Sequence, residues 1–106
     1  MFLWGDNSRY EGNFKDNNID GHGKYRWSDN REYTGDWVDN KMDGTGFFTW
    51  DDGRKYKGGY TNDKKHGHGI FMWPDGRQYD GMWGDGKQEG PGIYCNNKGE
   101  TRFGFW

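Results

Sequence analysis

Two histidines, His66 and His68, stand two residues apart, the kind of pair that can begin a metal site. Zinc needs about three or four ligands at ~2.0–2.3 Å. The third histidine, His22, falls on the same repeat column as His68 but four strands away, roughly 19 Å at ~4.8 Å per strand. No Cys or His cluster completes the set, and no metal is expected. The pairs Gly21/Gly23, Gly44/Gly46, Gly67/Gly69 and Gly90/Gly92 suggest a phosphate-cradling loop. The last glycine of a G-x-G-x-x-G motif is replaced each time, by Arg26, Thr49, Met72 and Cys95, and no helical segment follows to present its N-terminus. Asp51-Asp52-Gly53 lacks the spaced ligand ladder of a calcium loop, and Cys95 has no base placed beside it. The expectation is a chain that is not an enzyme, with no catalytic residue and no cofactor.

What remains is charge and apolar surface. Arg54, Lys55, Lys57, Lys64, Lys65 and His66 gather in the third quarter of the chain, where residues 56–78 carry a net charge of +2 against −1 or −2 in the segments around it. Lys64-Lys65-His66 is expected in one turn, projecting together from one edge. A basic cluster attracts an anionic membrane by about 1 kcal/mol per residue near the surface, which gives weak, salt-sensitive docking. The net charge of the whole chain is −2, so the global basic footprint of a nucleic-acid binder is absent.

These groups need elements to hold them, and the composition restricts which. Leu, Ile, Val and Phe number 12 of 106 residues, there is no Ala, and Gly numbers 20. Helix is excluded because its best formers are missing and Gly costs roughly 1 kcal/mol per helical position. Disorder is opposed by 21 aromatic residues, each able to bury ~150–250 Å². β-structure with a core of rings is the expectation. One cysteine cannot close an intrachain disulfide. No apolar run approaches the ~18 residues of a membrane span, and Met1-Phe2-Leu3-Trp4 is too short for a signal peptide. A cytoplasmic location follows as an expectation.

A repeat organises the whole chain. Tyr10, Tyr33, Tyr56 and Tyr79 recur every 23 residues, as do Gly12, Gly35, Gly58, Gly81 and Gly104, and Trp4, Trp27, Trp50 and Trp73. Within a unit the period is two: Tyr33, Gly35 and Trp37 alternate with Thr34, Asp36 and Val38, which reads as strand. Asp39-Asn40-Lys41, Asp52-Gly53 and Asp75-Gly76 supply turn residues between the strands. Each unit is therefore a β-hairpin. The units run over about 10–32, 33–55, 56–78 and 79–101 of a single array spanning 1–106, with partial units at both ends. Gly12-type and Gly21/Gly23-type positions are expected to leave gaps where rings lie over bare backbone. At ~4.8 Å per strand, nine strands give a ribbon about 40 Å long in which each hairpin touches only its neighbours.

The pattern Tyr33-x-Gly35-x-Trp37, Gly44-x-Gly46, Phe48, Trp50, Asp52-Gly53 and Tyr56 resembles the MORN (membrane occupation and recognition nexus) repeat and returns in every unit. The resemblance implies an all-β fold, an elongated single-layer twisted antiparallel sheet. It also implies a scaffold in a cytoskeletal, ciliary or membrane-associated assembly. It further allows an accessory region of a larger enzyme such as a phosphatidylinositol phosphate kinase. Asn7 and Asn30 stand where the pattern has a turn glycine, and Asn96, Lys98 and Arg102 replace its Trp, Asp and Tyr. Incomplete end units suggest a fragment, and free strand edges there suggest end-to-end association or a homodimer.

The columns that vary between units are the better place to look for binding. Opposite the Tyr and Gly columns, Phe47, Ile70, Met72, Met82, Ile93, Phe103 and Phe105 form an expected apolar stripe that a single-layer sheet cannot bury by itself. The predicted partner is a protein, seated there as an amphipathic helix, a peptide, a second copy or another part of the parent chain. A groove bordered by Tyr33, Trp37, Trp50, Tyr56 and Trp73 is the second candidate contact. The rival reading is a membrane-targeting module acting through the basic third unit.

Overall fold

Two kinds of turn alternate along the chain and set the fold. The tight turns are two residues long, and in Asp16-Asn17, Asp39-Asn40 and Asn62-Asp63 both residues have φ between 50° and 68°. Asn and Asp tolerate this left-handed geometry, which matches the twist of the flanking strands. The wider turns carry a single residue at positive φ: Gly53 and Gly76 at 98° and 95°, Asn7 and Asn30 at 74° and 73°. The Asn-for-Gly exchanges thus preserve the turn. In a wide turn the Trp50 amide donates to the Arg54 carbonyl at 2.9 Å and the Gly53 amide to the Trp50 carbonyl at 3.1 Å. The Arg54 amide donates to Asp52 Oδ1 at 3.0 Å. The backbone and then the side chain of Arg54 hold the Asp52 carboxyl below its usual range.

The computed structural model describes residues 2–106. Ten strands follow one another: β1 (Phe2–Leu3), β2 (Arg9–Lys15), β3 (Asn18–Arg26), β4 (Glu32–Val38), β5 (Lys41–Thr49), β6 (Lys55–Thr61), β7 (Lys64–Met72), β8 (Gln78–Gly84), β9 (Lys87–Cys95) and β10 (Thr101–Phe105). They form one sheet in the order β1 to β10, each antiparallel to its sequence neighbours. The sheet is a single open layer of 45 × 24 × 16 Å. Its strand count is one more than the nine expected, because Phe2–Leu3 adds a short strand.

One face carries the core, hereafter the ring face. Tyr10, Tyr33, Tyr56 and Tyr79 are fully buried there although no second layer exists. The reason is local. Each hairpin aligns two glycines across the ladder, Gly35 with Gly46 for example, and the Tyr33 ring lies flat over them. The register then slips between Gly35 and Trp37, so that Asp43, Gly44 and Thr45 of β5 face only Asp36 of β4. The Tyr33 hydroxyl donates to the Asp36 carbonyl at 3.0 Å. Tyr10, Tyr56 and Tyr79 do the same at Asn13, Gly59 and Met82. Trp37 and Trp83 tie hairpin to hairpin, each indole donating 3.1 Å to a carbonyl of the preceding unit, Gly23 and Gly69.

The paired glycines have two different causes, which corrects the expectation that both leave room for rings. Only the second lies under a tyrosine: a Cβ on Gly23, Gly46 or Gly69 would collide with the Tyr10, Tyr33 or Tyr56 ring. The first occupies the bulge at positive φ, 114° at Gly44, a conformation that L side chains resist.

Candidate interaction surface

Strand alternation divides the chemistry between two faces. On the ring face, Tyr33, Trp37 and Tyr56 are buried, and only Trp50 and Trp73 of the expected groove are half-exposed. Three of the five rings are therefore core, packed edge to face: Trp37 lies 5.1 Å from Tyr33 and Tyr60 lies 5.3 Å from both Tyr33 and Tyr56. They cannot touch a partner without unfolding the hairpin.

The basic cluster is dispersed rather than gathered. Lys64, Lys65 and His66 do not share a turn: the turn is Asn62-Asp63, and β7 begins at Lys64. Alternation sends Lys64 and His66 to the face opposite the rings, hereafter the smooth face, and Lys65 to the ring face. There its ammonium sits 5.2–5.7 Å from the centroids of Trp50, Tyr56, Phe71 and Trp83. Burial first, and the Arg54 cation second, push the Lys65 pKa down. Arg54 itself belongs to a wide turn, stacked on Trp50 at 5.2 Å and paired with Asp52 at 2.8 Å. Arg31 and Arg77 repeat that arrangement on Trp27 and Trp73. Lys55 and Lys57 lie on the smooth face, opposite Met72 and Ile70 of β7. Of the six basic residues, four share a face.

Sequence reasoning missed the ring cage around Lys65, although its column carried the signal. The equivalent positions are Ile19, Met42, Lys65 and Gln88, and Ile19 and Met42 are buried core. A lysine in the column of Ile19 and Met42 on the core face stays there by laying its stem and ammonium over rings.

On the smooth face the apolar stripe is real but interrupted. Across the strands one row reads Thr34, Phe47, Lys57, Ile70, Asp80, Ile93, Phe103. Lys57 separates Phe47 from Ile70, and Asp80 separates Ile70 from Ile93. Phe47, Ile70 and Ile93 lie on alternate strands, β5, β7 and β9, and the strands between them bring the two charges. The stripe becomes continuous at the C-terminal end, where Ile93 pairs with Phe103 and Pro91 with Phe105. Phe103 and Phe105 are 76% and 83% exposed, with Ile93 and Met82 at 41% and 38% beside them. Met72 and Ile70 are half-exposed. The N-terminal half of this face is charged instead: Lys24 and Arg26 face Glu32 at 3.5 and 3.7 Å, and Arg9, Glu11, Lys24 and Arg26 line a cleft of about 190 Å³.

The histidines also fall on the smooth face. His68 Nε2 contacts Asp80 Oδ1, and His22 lies 3.7 Å from Asp36. Among the described residues no three His, Cys, Asp or Glu side chains converge as a metal-holding group. No described helix is long and apolar enough to cross a membrane.

An open meander of identical hairpins, each burying a tyrosine over a glycine pair, defines a β-repeat array. The family model for the MORN repeat matches it four times, over residues 10–30, 33–53, 56–76 and 79–101, and the chain belongs to the MORN-repeat family. No curated protein matches the chain.

Proposed function

We propose that this MORN array is a non-catalytic interaction module that seats a protein partner on the C-terminal half of its smooth face. The observation carrying this reading is the exposure of Phe103 and Phe105 together, 76% and 83%, on the face that holds no core. At ~150–250 Å² per aromatic side chain, these two leave roughly 240–400 Å² uncovered. With Met82 and Ile93 beside them the apolar surface is on the order of 450 Å², the size of the largest patch on a typical monomer, which is often functional. The central rings of the ring face are consumed by the fold, and its exposed apolar residues stand at the two ends of the array, Phe2 and Phe14 at one and Trp106 at the other.

Anionic lipid is the competing ligand, favoured by Lys55, Lys57, Lys64 and His66 on that same face. A photo-crosslinking residue at position 103 or 105, introduced in cells of the source organism, separates the two. Discrete protein adducts at both positions, missing from a control at Arg9, support partner docking. Lipid adducts in their place give first rank to the membrane reading. Adducts equal to the Arg9 control overturn docking at this surface.

A further inference from the structure

The spacing and charge of the smooth face narrow the partner. Phe47, Ile70 and Ile93 occupy equivalent positions on β5, β7 and β9, two strands apart each time. At ~4.8 Å per strand they repeat at about 9.6 Å. Seven residues of α-helix rise about 10.5 Å, so side chains one heptad apart on one helix face meet successive members of this row with a mismatch below ~1 Å per step. An extended strand cannot do this. Its same-face side chains recur at about 6.7 or 13.4 Å.

Width is the second constraint. Apolar side chains flank the row on both sides, Met72 and Cys95 on one, Met82, Pro91 and Phe105 on the other. Three such rows span about 13 Å along the strands, which suits a helix of ~10–12 Å diameter. A polyproline segment, with its ~9.3 Å repeat, matches the row but lacks the breadth to cover its flanks.

Charge supplies the third constraint. Lys57 stands in the row between Phe47 and Ile70, with Lys55 two residues away beside Met72. Both are exposed, and neither forms an ion pair among the described residues. Asp80, by contrast, is already engaged by His68. The unmatched charge on this part of the face is positive, and it gives way to an apolar end at β9 and β10.

Resting on the docking reading above, we infer that the occupant is an acidic amphipathic helix laid across the strands. It places one apolar residue per heptad on the Phe47–Ile70–Ile93 row and carboxylates over Lys55 and Lys57. Its apolar end covers Phe103 and Phe105.

A displayed library of random 20-residue segments, selected on the purified chain, tests this. The expected enrichment is of segments with seven-residue apolar spacing and flanking Glu or Asp, helical when bound. Replacing their acidic residues by Lys should weaken binding about tenfold or more at low salt. The Lys55→Glu/Lys57→Glu chain should lose that preference. Enrichment of basic, extended or proline-rich segments overturns the acidic helix while leaving the docking surface standing. No enrichment over an Ile70→Asp/Phe103→Asp chain, checked for intact fold by the near-UV signal of its buried rings, overturns both. A concentration-dependent dimer abolished by that double substitution replaces the helix with a second copy.

Discussion

Replacing Gly46 by Ala is expected to destabilise the array far more than replacing Gly5 by Ala, although both glycines have ordinary φ values. The difference is steric. Around Gly5 an added Cβ meets nothing within 4 Å, whereas at Gly46 it collides with Cε1, Cζ and Oη of Tyr33. Tyr33 cannot retreat: it is fully buried, its hydroxyl is bonded to the Asp36 carbonyl, and Trp37 and Tyr60 press on it edge to face. Overpacking of this kind costs about 1–3 kcal/mol. Full expulsion of the ring forfeits ~150–250 Å² of burial, about 4–6 kcal/mol at ~25 cal/mol per Å², which is the upper bound. Against this, Ala restricts the unfolded chain and returns about 0.4–1 kcal/mol, and at Gly5 only that gain applies. The assay is urea denaturation followed by tryptophan fluorescence. In a Tyr33→Ala background the Gly46→Ala penalty should shrink by at least about 1 kcal/mol, since the collision partner is gone. Equal stability of the Gly46→Ala and Gly5→Ala chains, or an undiminished penalty without the Tyr33 ring, refutes the reasoning.

Gly86→Asn should stabilise the chain by about 0.5–1 kcal/mol in the same assay. Asn40 and Asp63 each accept a strand amide of the preceding hairpin, Ile19 and Met42, at 2.8 Å. Gly86, at φ 81° with open space around it, leaves the Lys65 amide without that acceptor; no gain on substitution would contradict the account. Lys65→Met should raise the urea midpoint at neutral pH and raise it less under alkaline conditions. Burial lowers the folded pKa of Lys65, so the folded chain disfavours its proton until pH climbs through that value; a pH-independent gain counts against the cage. Above pH 10 the fold should weaken. Burial raises Tyr56 to about 12, and Tyr33 and Tyr60 also move up, so the folded chain holds protons that the unfolded chain releases. Stability is complete below the ordinary tyrosine value of 10.0 and falls as pH rises toward 12, by up to about 1.4 kcal/mol per unit per tyrosine. Buried phenols that ionise near 10 without loss of fold would contradict this.

The repeat, the hairpins and the ring face were legible because each rests on local rules. A 23-residue period cannot arise without a structural unit, Asp-Asn and Asp-Gly dictate positive φ, and alternation places Tyr33, Gly35 and Trp37 on one side. Two readings needed amendment, because neither adjacency in sequence nor equivalence in the repeat is adjacency in space. Lys64 and Lys65 are neighbours in the chain and face opposite sides of the sheet. Phe47, Ile70 and Ile93 are equivalent in the repeat yet are separated by Lys57 and Asp80 from the intervening strands. The slip opposite Asp36 was also hidden: Gly44 takes it at φ 114°, and the Tyr33 hydroxyl bonds the Asp36 carbonyl there, a long-range match that no local pattern displays.

The two faces of this sheet obey different constraints, and the choice of the smooth face as the proposed docking surface follows from that. A single layer has no partner sheet, so everything that buries the rings must come from the ring face itself. Tyr over Gly-Gly, Trp reaching to the preceding carbonyl and the Arg–Trp stacks at the wide turns leave it little freedom to vary. Even Lys65, in the column of Ile19 and Met42, is absorbed by four aromatic rings. The smooth face contributes nothing comparable to the core, and its residues range from Lys24 and Thr34 at one end to Ile93 and Phe103 at the other. A substitution there such as Phe103→Asp costs the fold almost nothing, on the order of 0.5 kcal/mol, while changing what the face can bind. The proposed docking surface therefore lies where the fold exerts least control, and the polar-to-apolar gradient along the smooth face would give the proposed helix a direction as well as a position.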